Sequence, residues 1–328
     1  MSEMLDLFLN FKSFLLKNFF KNEELKYNKG GQNNNGAAIF DYNFMMGLQE
    51  KEYKKYLCKA YQIKTGFKLN LKHPKTLNEK IQWLKIYDNI PLKTMLTDKV
   101  LVRDWIKEKI GEEYLKPVLQ ICNNFNDIEF DKLPDKFVIK CNHGCKWQFI
   151  IKDKNKFLEN KQVYNYVKKQ IDGWMEQSFF GWSDFETQYK NIVPKILIEK
   201  LLRDEKFNKT RKEIKNCCFN GIPYYNQLTS YIPEQYQDVF DINLNKVNIL
   251  FEPRLYPPSE KEADELVEKS IELSKILAEN LKFVRVDWMI YDNKLYFEEM
   301  TFTPFSGFIN IDNYLQIKLG SLLNLKGN

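Results

Sequence analysis

The segment "FVRVDWMIYDNKLYFEEMTF", residues 283–302, reads as two strands around Asp292 and Asn293, because apolar and polar residues alternate on both sides of a turn pair. Alternation puts Arg285, Asp287 and Met289 on one face of the first strand. A carboxylate and a guanidinium among Val284, Val286 and Trp288 are costly to bury unless they are paired or bound to something. The simplest arrangement is an Arg285–Asp287 ion pair on a solvated face. The returning strand adds two acids. A two-residue turn at 292 and 293 sets Asp287 opposite Glu298; a three-residue turn that includes Lys294 sets Asp287 opposite Glu299 and Arg285 opposite Thr301. Two facing carboxylates repel unless a proton or a cation sits between them, and hard oxygen ligands of this kind suit Mg²⁺ together with substrate phosphates. Spacing leaves both registers open.

Metal-bound phosphate also calls for cations. Lys99, Lys140 and Lys215 recur among apolar neighbours, although each by itself fits a surface position better. In "KFVIKCNHGCKWQFIIKDK", residues 136–154, two strands flank a short polar loop, the outline of a hairpin, with Lys140 closing the first strand. "PKILIEKLL", residues 194–202, reads as a buried strand with Glu199 at its end. Together these outline a nucleotide pocket: a carboxylate for an adenine amino group, backbone beyond it for the ring edge, and lysines for phosphates. A competing reading makes Cys141, His143 and Cys145 a zinc site with Cys217 or Cys218 as the fourth ligand. The stretch lacks paired C-x-x-C knuckles, and the fourth ligand is distant in sequence.

The 328 residues, 44% hydrophobic and 15% aromatic, are enough for one large core or two modest ones. A net charge of +6 falls short of the basic patching that duplex-binding proteins carry, so small anionic ligands are expected and nucleic acid is not. Six cysteines without a signal peptide read as reduced thiols of a cytoplasmic protein. The stretch "MLDLFLNFKSFLLKNFFKNEEL" is too short and too charged to span a bilayer. It reads as an amphipathic helix over 1–27 docked on its own domain, with peripheral contact at the inner membrane as the second reading.

A polar, Gly- and Asn-rich connection is expected over 28–44. Thr76 and Glu79 form a capping box ahead of a helix whose stripe is Ile81, Leu84 and Ile86. A second helix is expected to start at Thr97 or Asp98 and stop at Gly111. Further expectations are a helix over 155–176, a tight Asn220–Gly221 hairpin turn, and a helix over 259–281 opened by Ser259 and Glu262.

Five separated motifs carry a family resemblance: "HPKTLNEKIQWLKIYDNIPLKTMLTDKVLVRDWIKEKIGEEYLKPVL", "FVIKCNHGC", "NIVPKILIEKLL", "IKNCCFNGIP" and "FVRVDWMIYDNKLYFEEMTFTPFSGF". In this order, from about residue 45 to 323, the chain resembles the TupA-like branch of the ATP-grasp superfamily. The resemblance implies an α+β ATP-grasp fold that uses ATP and Mg²⁺, with an N-terminal region over 45–118, a lid over 119–200 and a C-terminal core over 201–328. It implies phosphate-binding roles for Lys99 and Lys140, with Lys215 as a third cation. Glu199 becomes the adenine-binding acid, Lys200 and Leu202 offer backbone groups, and Asp204 or Glu205 takes the ribose hydroxyls. Asp287 and Glu299 become the magnesium ligands, which selects Glu299 over Glu298. Arg285 would stabilise the transferring phosphoryl group or the tetrahedral intermediate, and His143 is either a second catalytic contact or a structural residue of the loop.

The chain departs from the pattern twice. Thr301 stands where most ATP-grasp enzymes carry a metal-binding Asn. "CKWQ" follows "NHG" where relatives continue with small residues and glycines, so Lys146 is expected to supply charge in their place, or the lid to hold nucleotide more loosely. The activity implied is a bacterial carboxylate–amine ligase working through an acyl phosphate. A uronic acid, free or nucleotide-linked, would be joined to an amino acid or amino alcohol in capsule or other surface-polysaccharide synthesis. A glycosyltransferase or sugar kinase of such a pathway is the alternative.

Overall fold

The computed structural model describes residues 38–202, 212–230, 236–249 and 264–326. The expected N-terminal helix, the connection up to residue 37, and Asp204, Glu205, Ser259 and Glu262 lie outside them. Runs of β-branched and aromatic residues pair into two antiparallel sheets. In the first, β1 (Val118–Cys122), β2 (Phe137–Cys141), β3 (Gln148–Ile151) and β4 (Ile196–Lys200) lie in the order β1-β4-β2-β3. In the second, β5 (Lys212–Phe219), β6 (Ile222–Ser230), β7 (Tyr236–Asp241), β8 (Phe283–Tyr291) and β9 (Lys294–Thr301) lie in the order β7-β6-β5-β8-β9.

Period-two alternation gives each sheet one apolar and one polar face. In the first sheet Phe137, Ile139, Ile196 and Ile198 bury against Val163, Val167 and Ile171, leaving Val138, Lys140, Leu197 and Glu199 on the other side. In the second, Ile214, Cys218, Val284, Val286 and Trp288 bury against Val267, Leu273 and Leu277. That core is pinned by polar bonds: Asn216 Nδ2 donates to Ser270 Oγ at 3.0 Å and to Ser274 Oγ at 2.9 Å, and the Trp288 indole donates to Ser274 Oγ at 2.9 Å. The opposite face carries Lys215, Cys217, Arg285, Asp287, Glu299 and Thr301.

The helices are α1 (Tyr42–Gly47), α2 (Glu50–Thr65), α3 (Leu77–Tyr87), α4 (Pro91–Thr97), α5 (Val102–Ile110), α6 (Lys154–Glu159), α7 (Lys161–Met175), α8 (Glu265–Leu277) and α9 (Asn313–Leu322). The Thr76–Glu79 capping box and the Gly111 stop are formed as expected, with Ile81 and Leu84 buried and Ile86 half-buried. The Asn220–Gly221 turn joins β5 to β6 with both residues at positive φ.

Four expectations need correcting. The connection expected to run to residue 44 already gives way to α1 at Tyr42, because the Asp41 carboxylate accepts the Phe44 N–H at 3.0 Å. Thr97 closes α4 instead of opening a helix; Asp98 Oδ1 caps the turn through the Val100 N–H at 2.8 Å, and α5 begins at Val102. The helix expected over 155–176 is two, divided at Asn160, whose side chain accepts the Val163 N–H at 3.1 Å. The described part of the helix expected over 259–281 starts after Asp264, which accepts the N–H groups of Leu266 and Val267.

α3 packs into the cluster of Phe219, Phe283, Ile309 and Leu319 beside α9. Two helical glycines therefore respond oppositely to a methyl group. At Gly320 an added Cβ would collide with the Lys75 carbonyl and the Leu77 N–H, backbone that cannot swing away, whereas at Gly173 nothing lies within 4 Å. Chemical denaturation should show Gly320→Ala losing about 1–3 kcal/mol and Gly173→Ala gaining up to about 1 kcal/mol.

Candidate active site

The β8–β9 hairpin resolves its register in a way neither turn length anticipates. Asp292 and Asn293 form a two-residue turn, with Tyr291 opposite Lys294, yet Asp287 faces Glu299 and Arg285 faces Thr301. A β-bulge at Glu298 absorbs the extra residue between Trp288 opposite Phe297 and Asp287 opposite Glu299. Across the sheet, Gln227, Lys215, Asp287 and Glu299 form one row, and Tyr225, Cys217, Arg285 and Thr301 the next.

Within these rows Arg285 grips Asp287 bidentately, Nε to Oδ1 at 2.7 Å and Nη2 to Oδ2 at 2.5 Å, and donates to Thr301 Oγ1 at 3.2 Å. Glu299 Oε1 lies 3.8 Å from the same guanidinium and accepts from the Thr301 hydroxyl at 3.3 Å. Burial pushes Asp287 up to about 6 against the pull of Arg285, and the Glu299 charge adds to the rise. The ion pair anticipated as the simplest arrangement is thus present, largely buried instead of on a solvated face, with a second acid at its side.

The first sheet contributes Lys140 and Glu199, paired at 2.6 Å and both largely buried. The attraction of Lys140 holds the Glu199 carboxyl below its ordinary range although burial opposes it. Charges on Glu298 and Glu299 act on Lys140, so the two sheets meet electrically here. Lys200 is exposed and its N–H is committed to the Pro117 carbonyl at 3.0 Å; Leu202 follows at the end of the described segment. Lys215 stands opposite Asp287, with Nζ 3.3 Å from Glu213.

Lys99 ties the turn after α4 to the loop after β2. Its Nζ donates to the Gly144 carbonyl at 2.8 Å and its N–H to the Asn142 carbonyl at 3.3 Å. Within that loop the expected glycine-rich contact has a different solution. Trp147 is buried, stacked on Trp174 with ring centroids 5.8 Å apart, and it covers Gly144 so closely that a Cβ there would strike the indole. Lys146, exposed and at φ 60°, is turned outward by the same bend.

His143 departs from its expected catalytic place. It is 1% exposed, and its ring nitrogens meet Asn142 Oδ1 and the Trp174 carbonyl at 3.0 Å each, which turns the imidazole toward α7. Burial lowers its pKa. The zinc reading fares no better. Among the described residues no group of three or more His, Cys, Asp or Glu side chains is placed to hold a metal, and burial pushes the Cys141 and Cys145 thiols up to about 12 and about 11.

A family model, TupA-like ATPgrasp, matches residues 79–323. The chain belongs to the TupA-like ATP-grasp family. The α+β arrangement of helices around two antiparallel sheets is the fold of that family. Among solved structures, the ATP complex of D-alanine–D-alanine ligase from Bacillus anthracis is 18% identical with a TM-score of 0.34, covering 63% of this chain and 53% of that one. The Helicobacter pylori D-alanine–D-alanine ligase is 15% identical with a TM-score of 0.41, covering 75% and 69%. The ATP-grasp ligase PsnB with minimal precursor, Mg and ADP is 9% identical with a TM-score of 0.39, covering 87% and 74%. This chain spans only 53% and 56% of the two Bacillus anthracis ligase chains. No curated protein matches the sequence. Among the described residues no helix is long and apolar enough to cross a membrane.

The donor set fits the family's cofactors. Two carboxylates and a hydroxyl on adjacent strands are hard oxygen ligands, too few to enclose a cation by themselves, which suits Mg²⁺ shared with phosphate oxygens. A shallow, open pocket adjoins Arg285 and is walled by Cys217, Tyr225, Phe283 and Phe305.

Sequence reading missed the buried polar network that holds this pocket's far wall. After β9 the chain runs through Phe305 and Ser306, both at φ 52°, a left-handed conformation that costs a side-chain-bearing residue energy. Glu186 accepts hydrogen bonds from Thr303 Oγ1, at 2.5 Å, and from the Ser306 hydroxyl. Lys85 Nζ donates to the Ser306 carbonyl at 2.7 Å and the Asp184 carbonyl at 2.6 Å, and Gln82 Nε2 donates to the Gly307 carbonyl at 2.8 Å. The available signal was Lys85 itself, four residues after Ile81 and so on the buried stripe of α3.

Burial lowers the Lys85 pKa from 10.5 to about 8. Above pH 8 the native lysine sheds its proton while the unfolded one keeps it until about 10.5, so the unfolded chain binds more protons and this group's contribution to stability rises with pH. Measured by denaturation from pH 8 to 10, wild type should gain on Lys85→Met by roughly 1.4 kcal/mol per pH unit. A pH-independent difference would show that Lys85 does not titrate there.

Proposed function

We propose that this protein is an ATP-dependent ligase that joins a carboxylate to an amine through an acyl phosphate. The observation that carries the reading is the cross-strand set Lys215, Asp287, Glu299, Arg285 and Thr301, placed within electrostatic reach of Lys140 on the other sheet. Asp287 and Glu299, with Thr301 beside them, would hold Mg²⁺, which when bound neutralises phosphate charge and orients the transferring group. Lys99, Lys140 and Lys215 are the cations for the phosphates, and Glu199 with the Lys200–Leu202 backbone is the adenine end. Asp204 or Glu205 is reserved for the ribose.

The substrate carboxylate attacks the γ-phosphorus, the bond to the bridging oxygen breaks, and ADP leaves. The amine then adds to the acyl carbon, and phosphate departs with both electrons of its C–O bond while the amine loses its proton. Were Asp287 to hold the metal, Arg285, which now grips it, would be free to turn its N–H groups to the acyl oxygen where charge develops. The pocket beside Arg285 is the place for the acceptor. Supported by the family resemblance, the acid is of uronic type and the amine an amino acid or amino alcohol, in surface-polysaccharide synthesis in bacterial cytoplasm. Peripheral contact with the inner membrane would run through the residues before 38.

Paired uronic acids and amines should give ADP, phosphate and an amide only when both partners are present. ATP consumption with a sugar alone would point to a kinase, and sugar transfer without ATP to a glycosyltransferase. With the productive pair, Glu299→Ala should lower kcat by at least about a hundredfold, as loss of a group that stabilises transition-state charge does, while the denaturation midpoint stays near wild type. Turnover at the wild-type rate would remove the assigned magnesium site.

A further inference from the structure

Outside the acids and lysines already assigned, one ion pair joins the two sheets. Lys116, just ahead of β1, bonds through Nζ to Glu298, the bulged residue of β9. The lysine is 7% exposed, and burial depresses its pKa. A lysine taken out of water needs a partner, and this one sits in a cluster of alternating charge. Glu298, Lys140 and Glu199 all act on Lys116, and Lys140, Lys116 and Arg103 all act on Glu199. Its place follows from the first sheet: Val118 faces Glu199 across β1 and β4, Lys116 lies two residues before Val118, and Pro117 accepts the Lys200 N–H. Lys116 therefore lies by the end of β4, beside the acid proposed for adenine.

The proposed roles of Lys140 and Glu199 conflict as long as each is the other's partner at 2.6 Å. A phosphate that draws Lys140 away leaves Glu199 buried with an unmatched charge, which either destabilises the complex or protonates the acid. A protonated Glu199 is a poorer acceptor for an amino group. Lys116 is the buried cation whose field on Glu199 is second only to that of Lys140.

We propose that Lys116 is a positioning residue for nucleotide recognition: as Lys140 moves to the phosphates, Lys116 shifts from Glu298 toward Glu199, keeping that carboxylate ionised for the adenine amino group. The exchange conserves charge, since two lysines and two glutamates become one lysine on phosphate, one lysine on Glu199, and a freed Glu298 beside the nucleotide. This rests on the nucleotide reading of Lys140 and Glu199 and adds to it a residue that acts through Glu199.

The test uses β,γ-imido-ATP and its analogue lacking the 6-amino group, purine riboside β,γ-imidotriphosphate, each titrated with Mg²⁺ by calorimetry. Lys116→Met should weaken the adenine compound roughly tenfold, the scale of one charge-assisted hydrogen bond, with much less effect on the analogue, so that discrimination between the two collapses. Lys116→Arg should restore most of it. Lys140→Met should weaken both compounds alike. If Lys140→Met weakens binding while Lys116→Met leaves the discrimination at its wild-type value, the proposal fails and the nucleotide reading survives. If the wild-type protein binds neither compound, both fail. Should Lys116→Met not fold, Lys116→Met/Glu298→Gln removes the pair together, and preserved discrimination in that variant overturns the proposal equally.

Discussion

The bulge at Glu298 is the constraint on which the site hangs. Strand side chains alternate with a period of two, so a one-residue slip sends every side chain of β9 to the other face. Continued without interruption from the Tyr291–Lys294 pair, the ladder would set Asp287 against Glu298 and Arg285 against Met300, burying Thr301 on the side of the core and turning Met300 to the acids. With one extra residue in β9, Met300 stays buried, Glu299 and Thr301 come beside Arg285 and Asp287, and Glu298 reaches Lys116. One irregularity thus builds the carboxylate pair and the link to the first sheet together.

What holds the bulge in place is the opposite face. Trp288, the residue next to the irregularity, is fully buried; its indole N–H ends on Ser274, which also accepts from Asn216 in β5. A slip of β8 would take the indole from this hydrogen bond and put Asp287 or Met289 in its place. Leaving a buried polar group unpaired costs about 1–3 kcal/mol, on top of the apolar area lost. The polar face is therefore kept in register by groups that never touch a substrate.

These relations explain which parts were legible in the sequence. Some turns and caps were, because they depend on residues a few positions apart: Asn220–Gly221, Thr76 with Glu79, and Asp292–Asn293 all act locally, whereas the helix start expected at Thr97 or Asp98 falls at Val102. The apolar faces of β2 and β4 were legible from composition. Register was not, because no residue type announces a bulge; turn counting left Glu298 and Glu299 both open, and the choice of Glu299 came from family resemblance. The fates of His143 and Trp147 were hidden for a different reason. Both are set by Trp174 on α7, about thirty residues on, so a loop that reads as a phosphate contact is in part the edge of a hydrophobic core. Lys85, Glu186 and Ser306 are separated by still more chain and meet only once α3 has packed against the loop after β9.

Charge balance ties the cleft together on the proposed reading. Lys140 has Glu199, Lys116 has Glu298, Arg285 has Asp287 and Lys215 has Glu213. A cleft of matched pairs attracts anions weakly at long range, so affinity has to come from exchanging partners, with phosphate taking the lysines and metal taking the carboxylates. Neither exchange is favourable by itself. Phosphate alone strands buried carboxylates, and a divalent cation alone leaves Arg285 without its acid. On that reading, when both arrive together the metal would take Asp287 and Glu299, phosphate would take Lys140 and face the released Arg285, and Glu199 would be left to Lys116. On the proposed reading these pairs would favour the metal–nucleotide complex over either component, because each exchange alone strands a buried charge.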